Sequence, residues 1–220
     1  MKNKTYEITI IIFSVLCGIL AKDYFLGTSI LISGLLNAYY ASIGKIYNYL
    51  FGSLFCLLSG YVSYINGLYG IAILSIAIYF PSQIQGYISW KKNTNNNEVQ
   101  IRGFNTKNSI IIISSCIIGS IILGLFLSEI PNQQLAFLDS SSNIINLCGI
   151  ILMNLRFKEC WIVWLFNNII DLSIWVTNFI QGSPNSTMML LVSIGYLLIN
   201  IYGLIRWIKM TKYYKTHTNI

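Results

Sequence analysis

Hydrophobic residues run along the chain in eight long blocks separated by shorter polar stretches. In chain order the blocks cover residues 8–21, 24–44, 46–66, 67–90, 108–128, 135–155, 160–180 and 187–208. All but the first have the roughly 20 residues that a helix rising 1.5 Å per residue needs to cross a hydrocarbon core of about 30 Å. The first has about 14, so a partly inserted helix is the alternative there. Runs this long favour helices over the alternating ten-residue strands of a membrane barrel.

Composition supports a membrane protein. Of the 220 residues, 55% are apolar and 10% are charged, whereas a soluble domain has about 25% charged residues. The net charge of +7 does not indicate nucleic acid, because the cations lie in the gaps between apolar blocks. The five cysteines lie in apolar blocks and the single histidine, His217, lies in the polar tail. No catalytic site, metal site or cofactor is therefore predicted.

The distribution of Lys and Arg predicts the orientation. If every block crosses, 13 of the 14 cations face one side and only Lys22 faces the other. The crowded side is cytoplasmic by the positive-inside rule. If the first block does not cross, the division is still 11 to 3. We therefore predict a multi-pass protein of the bacterial inner membrane with both termini in the cytoplasm.

A repeat suggests how the helices are arranged. Gly86-x-x-x-Trp90 recurs 117 residues later as Gly203-x-x-x-Trp207, on either side of an Asn-rich stretch that reads as a flexible cytoplasmic linker. An odd number of helices between the copies makes the repeat parallel. The predicted fold is an all-α integral membrane protein of seven to eight helices. Its parts are an N-terminal helix (1–23), a three-helix bundle (24–90), the cytoplasmic loop (91–107), a linker helix (108–128), a second three-helix bundle (135–208) and a cytoplasmic tail (209–220).

The seventh block carries the candidate site. Trp161, Trp164, Asn168, Asp171 and Trp175 follow one another at spacings of 3, 4, 3 and 4, which places them on one face of a helix. A carboxylate near the bilayer centre costs about 2.5–3.5 kcal/mol on insertion scales, so Asp171 should face a wet cavity or the bundle interior, with Asn168 as its neighbour. The alternatives are an interfacial anchor for Trp161 and a structural hydrogen-bond network for the two polar residues.

Other blocks contribute polar groups at similar depth. We add to the predicted substrate-binding set Asn37, Tyr40, Gln83, Asn143, Asn146, Tyr196 and Asn200. Each alone could form an ordinary hydrogen bond between neighbouring helices. Together they predict a neutral, polar cavity with aromatic walls, suited to a flat, hydrogen-bonding molecule of nucleoside or vitamin size. For a cationic molecule, the indole faces would add cation–π attraction and Asp171 a counter-charge.

These residues resemble a known family. The pattern Glu159-x-Trp161-x-x-Trp164-x-x-x-Asn168 is similar to the signature of the PnuC family of bacterial vitamin transporters, as is the stretch from Pro81 to Trp90. The resemblance covers roughly residues 24–210. It implies a fold like that of SWEET sugar transporters, with two three-helix bundles joined by one helix. It also implies uptake of nicotinamide riboside by facilitated diffusion, followed by trapping through a cytoplasmic kinase. Trp161, Trp164 and Asn168 would contact the substrate.

Several alternatives stay open. Related subfamilies carry thiamine, riboflavin or deoxynucleosides, so each of these is an alternative substrate. A second alternative for the function is a vitamin-binding subunit of an ATP-driven importer. The motifs of a serine hydrolase, a zinc protease and a P-loop are missing from the sequence, which argues against an intramembrane enzyme. A structural scaffold is a further alternative. The predicted partners are the lipid bilayer, the small-molecule substrate and, functionally, a kinase, but not nucleic acid. Ion coupling through Asp171 and assembly into a homo-oligomer are two further alternatives.

Overall fold

Eight helices make up most of the chain over residues 2–95, 98–103 and 109–217, which the computed structural model describes. They are α1 (Lys2–Leu20), α2 (Leu26–Ser42), α3 (Asn48–Ile65), α4 (Tyr69–Lys92), α5 (Ser109–Ser128), α6 (Ala136–Asn154), α7 (Cys160–Ile180) and α8 (Ser186–His217). Two two-residue strands, β1 (Thr94–Asn95) and β2 (Glu98–Val99), pair antiparallel after α4. A helix satisfies its own backbone hydrogen bonds, as lipid requires.

The eight helices coincide with the eight apolar blocks, and the predicted all-α membrane fold is confirmed. The first helix begins at Lys2, well before its apolar block, and the last continues through His217 into the predicted tail. Among the described residues, four helices are long and apolar enough to cross a membrane by length and composition alone. These four are α4, α6, α7 and α8.

The fourth helix contains a wide turn just before its proline. Residues Ser75–Tyr79 form a single π-helical turn, and Pro81 stands in the first turn of the α-helical stretch that follows. Proline lacks the N–H that would close an ordinary α-helical turn, and a π-turn is one way to absorb that break. The turn directs Tyr79 and Gln83 toward the interior, where both are buried.

The helices pack as two similar halves. Within the first bundle α2 contacts α3 and α3 contacts α4, and within the second α6 contacts α7 and α7 contacts α8. Between the bundles, the first helix of each packs on the third helix of the other, in the pairs α2–α8 and α6–α4. In addition α1 packs on α2 as α5 packs on α6. The contact pattern therefore repeats over four helices, one more than the sequence repeat had included.

The two copies of the Gly-x-x-x-Trp motif make matching packing contacts. Each tryptophan donates its indole N–H to a carbonyl near the end of the first helix of the other bundle: Trp90 to Met153 O (2.9 Å) and Trp207 to Ala41 O (3.1 Å). Each glycine leaves room for an aromatic ring of the second helix in its own bundle, Tyr49 beside Gly86 and Trp161 beside Gly203. The two copies thus perform the same packing task in both halves.

Residues 98–103 form a strap, so the prediction of a flexible linker is wrong for this part of the loop. The strap donates from Val99 N to Gly44 O (3.1 Å), and Arg102 exchanges backbone hydrogen bonds with Arg156 and Lys158 (2.8 and 3.1 Å). Val99 and Ile101 are 0% and 7% exposed. They pack into one cluster with Trp90, Trp161 and Trp207. The strap is held because its two apolar side chains are buried and its backbone bridges turns of both bundles.

These contacts place the cationic loops at one end of the bundle, which we call the cationic face. It carries the α2–α3 turn at Gly44, the strap, and the α6–α7 turn at Arg156. The opposite face is held by other links between turns. Asn185 donates to the carboxylate of Asp23, and Gln134 N donates to Gly67 O (2.8 Å).

Candidate substrate-binding cavity

A cavity of about 140 Å³ lies between the two faces, in the middle of the bundle. Side chains from six helices line it, α2, α3 and α4 of the first half and α6, α7 and α8 of the second. Because both halves contribute, any relative movement of the bundles changes its shape. The lining combines indole rings with carboxamides and hydroxyls, the surface expected for a ligand that is flat and also forms hydrogen bonds.

The aromatic wall comes from α7, as the stripe of three tryptophans predicted. Trp161, Trp164 and Trp175 all line the cavity. The Trp161 and Trp164 rings meet edge to face, with centroids 5.4 Å apart. The Trp164 ring lies against Gly149 of α6, where any side chain would collide with it. Its indole N–H donates to Asn146 Oδ1 (3.2 Å). One face of Trp164 is therefore fixed by packing and hydrogen bonding.

Asp171 lies at the cavity, but its neighbours differ from the predicted ones. Ser142 Oγ donates to one carboxylate oxygen, and Asn167 Nδ2 donates to the other (2.8 Å). The expected neighbour, Asn168, does not bond to it: among the described residues Asn168 Nδ2 has no hydrogen-bond partner, because the residue four positions earlier, rather than three, lies directly under the carboxylate. The Asp171 carboxylate thus accepts two hydrogen bonds and faces the interior of the bundle.

Several polar atoms at the cavity have no hydrogen-bond partner among the described residues. They are Gln83 Oε1, Trp161 Nε1, Asn167 Oδ1 and Asn168 Nδ2. Asn168 is 2% exposed and Gln83 is 6% exposed. A buried polar group without a partner costs about 1–3 kcal/mol. Two donors and two acceptors around one cavity are therefore groups that a hydrogen-bonding ligand could satisfy.

The first bundle supplies an amide wall opposite the tryptophans. Asn37 donates to Asn48 O (2.9 Å) and lies with Gln83 over Gly52, where a larger side chain would collide with both. In the first half a glycine, Gly52, faces two amide side chains. In the second half another glycine, Gly149, faces the indole of Trp164. The two halves of the cavity therefore differ in chemistry although their folds match.

A hydrogen-bonded chain that the sequence reasoning missed braces one side of the cavity. Tyr79 Oη donates to Asn143 Oδ1 (2.8 Å), and Asn143 Nδ2 donates to Asp139 Oδ1 (2.8 Å). The same carboxylate accepts the backbone N–H groups of Gly70 and Ile71 (2.9 and 3.0 Å). Asp139 therefore caps the N-terminus of α4 from another helix. Its position in the first turn of α6 gave no hint of that distant partner.

The structure brings eleven of the twelve predicted site residues to the cavity. They are Asn37, Gln83, Asn143, Asn146, Trp161, Trp164, Asn168, Asp171, Trp175, Tyr196 and Asn200. Tyr40 is not among the lining residues; its ring stacks on Phe51 instead, with centroids 5.5 Å apart. The lining also includes Asn167, Phe55, Tyr79 and Ser193, which were not predicted.

Buried hydrophobic clusters adjoin the cavity toward each face. On the cationic side, the rings of Trp90 and Trp207 lie beneath the strap with their centroids 5.8 Å apart, and both side chains are fully buried. On the other side, Val62, Ile174 and Met188 belong to a second buried cluster. A bundle of two similar halves around a central cavity with polar groups is the architecture of a membrane transporter.

Comparison with known proteins specifies the family. A family model described as nicotinamide mononucleotide transporter matches residues 24–209. The chain is 29% identical over 196 residues to the nicotinamide riboside transporter PnuC of Neisseria mucosa, covering 86% of this chain and 74% of that one. It is 30% identical over 185 residues to the PnuC transporter of Haemophilus influenzae, covering 82% and 78%. The chain therefore belongs to the PnuC family of membrane transporters.

A solved structure agrees with that assignment. The crystal structure of the vitamin B3 transporter PnuC is similar with a TM-score of 0.84 at 26% sequence identity, covering 96% of this chain and 92% of that one. The similarity extends over nearly all of both chains, so the packing of the two halves described above is shared with that transporter. The predicted family resemblance is confirmed.

Proposed function

We propose that this transporter carries nicotinamide riboside into the cell by facilitated diffusion. The relatives named above are nicotinamide riboside transporters. The cavity offers what that molecule requires: indole faces for a cationic pyridinium ring, a carboxylate at Asp171, and unpartnered amide groups for a carboxamide and ribose hydroxyls.

One observation favours the riboside over the mononucleotide that the family description mentions. No Lys, Arg or His occurs among the described residues that line the cavity, and the only charged group there is the Asp171 carboxylate. A buried phosphate needs cationic or similarly strong donors, and without them its desolvation is too costly. A phosphorylated product would for the same reason not leave through this cavity. Phosphorylation by a cytoplasmic kinase would therefore trap the vitamin inside.

The direct test is uptake by the purified protein in proteoliposomes, with the membrane potential held at zero. Labelled nicotinamide riboside should equilibrate until the inner and outer concentrations match, and an imposed proton or sodium gradient should not change that endpoint. Nicotinamide mononucleotide should not enter. Accumulation above the outer concentration would show that transport is coupled to an ion. Dependence on an added ATPase module would instead favour the importer subunit.

Thiamine is the second candidate substrate, because it is also a cationic heterocycle that suits an indole wall and a carboxylate. Riboflavin and thymidine carry no positive charge and would not use Asp171 in this way. Uptake of the four compounds under the same conditions, compared as initial rates, ranks them. A preference for riboflavin or thymidine would overturn the proposed role of the carboxylate.

We further propose that the cationic face is cytoplasmic, since the positive-inside rule places Lys and Arg there. Gln100 of the strap and Ser128 at the end of α5 are both exposed and lie at opposite ends of the bundle. An impermeant thiol reagent added outside intact cells should modify Ser128→Cys but leave Gln100→Cys unmodified. The wild type, with its five native cysteines, measures the background. The reverse labelling pattern would invert the orientation.

A further inference from the structure

A second concave site lies on the opposite face, outside the central cavity. It has a volume of about 430 Å³ and lies where the α3–α4 turn, the α5–α6 loop and the α7–α8 turn meet. We call it the outer vestibule and define it by Tyr64, Asn66, Asn132, Gln134, Asn178 and Gln181. No described residue lines both this site and the central cavity.

The vestibule offers a ligand hydrogen-bonding groups rather than an opposite charge. Its described lining contains no charged side chain and is rich in carboxamides. Asn66 is 7% exposed, and its Nδ2 donates to Val62 O (2.7 Å) and to Pro184 O (3.0 Å). Its Oδ1 has no hydrogen-bond partner among the described residues. This oxygen is an acceptor that a ligand N–H or O–H could satisfy.

The vestibule also provides aromatic surface and the right position. Tyr64 and Tyr69 line it, with ring centroids 5.8 Å apart. The hydrogen bond from Asn66 to Pro184 joins the tips of the two bundles, so the site lies over the junction between them. Beneath it, the buried side chains of Val62, Ile174 and Met188 separate it from the central cavity.

We propose that the outer vestibule is a distinct, weaker binding station for the transported molecule, occupied before that molecule reaches the central cavity. The proposal rests on the proposed function for the identity of the ligand, a flat ring that bears carboxamide and hydroxyl groups. Asn66 Oδ1 accepts one of its N–H or O–H groups, and the tyrosine pair contacts the ring. Passage inward then requires separation of the bundle tips, which breaks the bond from Asn66 to Pro184.

Substrate protection of an engineered cysteine tests the station. Gln181→Cys places a thiol at the exposed rim of the vestibule, and its modification rate by an impermeant reagent is measured with and without saturating nicotinamide riboside. We expect the ligand to slow modification about threefold or more. Ser128→Cys, exposed on the same face but outside the vestibule, should be modified at an unchanged rate.

A double variant separates the vestibule from the central cavity. In Gln181→Cys with Trp164→Ala, the central site is weakened while the vestibule is intact, so protection should persist. Loss of protection in the double variant would show that it arises from the central site, and would overturn the proposal. Absence of protection in a Gln181→Cys protein that still transports the riboside would also overturn it. Failure of the wild type to transport the riboside would overturn the proposed function instead.

Discussion

Replacement of Trp164 by alanine should weaken substrate binding by about ten- to a hundredfold, the largest effect expected of any single change in the cavity. Truncation of an aromatic wall on which a ring stacks costs about 1–3 kcal/mol, and 1.4 kcal/mol corresponds to a factor of ten in affinity. The Trp164 indole is held by Gly149 and by the hydrogen bond to Asn146. Because it is fixed before the ligand arrives, little ordering cost offsets its contribution.

The measurement is the dissociation constant of the purified protein, with the melting temperature recorded in parallel. Trp164→Phe keeps a flat aromatic wall, although a smaller one, and loses the N–H to Asn146, so its affinity should stay within about threefold of the wild type. Phe166→Ala is the matched control, because Phe166 lies on the same helix but is 64% exposed at the bundle surface. Equal affinities for Trp164→Ala and Phe166→Ala would remove Trp164 from the proposed binding site.

The α7 stripe could be predicted because two independent constraints coincide there. Helical spacing placed the tryptophans and Asp171 on one face, and the cost of polar groups in lipid required that face to point inward. The same spacing rule would have found Asn167, four residues before Asp171, had both one-turn neighbours been considered. The spacing and depth of Tyr40 did not predict its position, because its ring stacks on Phe51 instead of lining the cavity.

Contacts between distant segments could not be predicted in this way. Asp139 caps α4 through backbone groups nearly 70 residues away, and nothing in its local sequence identifies them. The strap is an intermediate case. Val99 and Ile101 alternate with polar residues, which is the pattern of a half-buried extended segment. The asparagines that precede them instead favoured the prediction of a flexible linker. The domain boundaries given above stay a prediction, as does substrate contact by the cavity residues.

The second large effect is expected from Asp171→Asn, which should weaken cationic substrates and leave neutral ones nearly unchanged. At an effective dielectric constant of 20, a unit charge about 8 Å from a cation contributes ~2 kcal/mol, or roughly thirtyfold in affinity. The substitution preserves shape, and the Asn167 and Ser142 contacts can re-form, since a serine hydroxyl also accepts a hydrogen bond. The charge is therefore the main property removed.

The test compares dissociation constants for nicotinamide riboside, thiamine and thymidine in the wild type and in Asp171→Asn. Asp23→Asn is the control, because Asp23 accepts hydrogen bonds from Gly27 N (2.8 Å) and Asn185 at the far face and does not line the cavity. A purely structural carboxylate gives a different result: a lower melting temperature with affinity unchanged for all three compounds. Equal weakening of thymidine and the two cations would also exclude the counter-charge role, since a neutral molecule has no charge for Asp171 to balance.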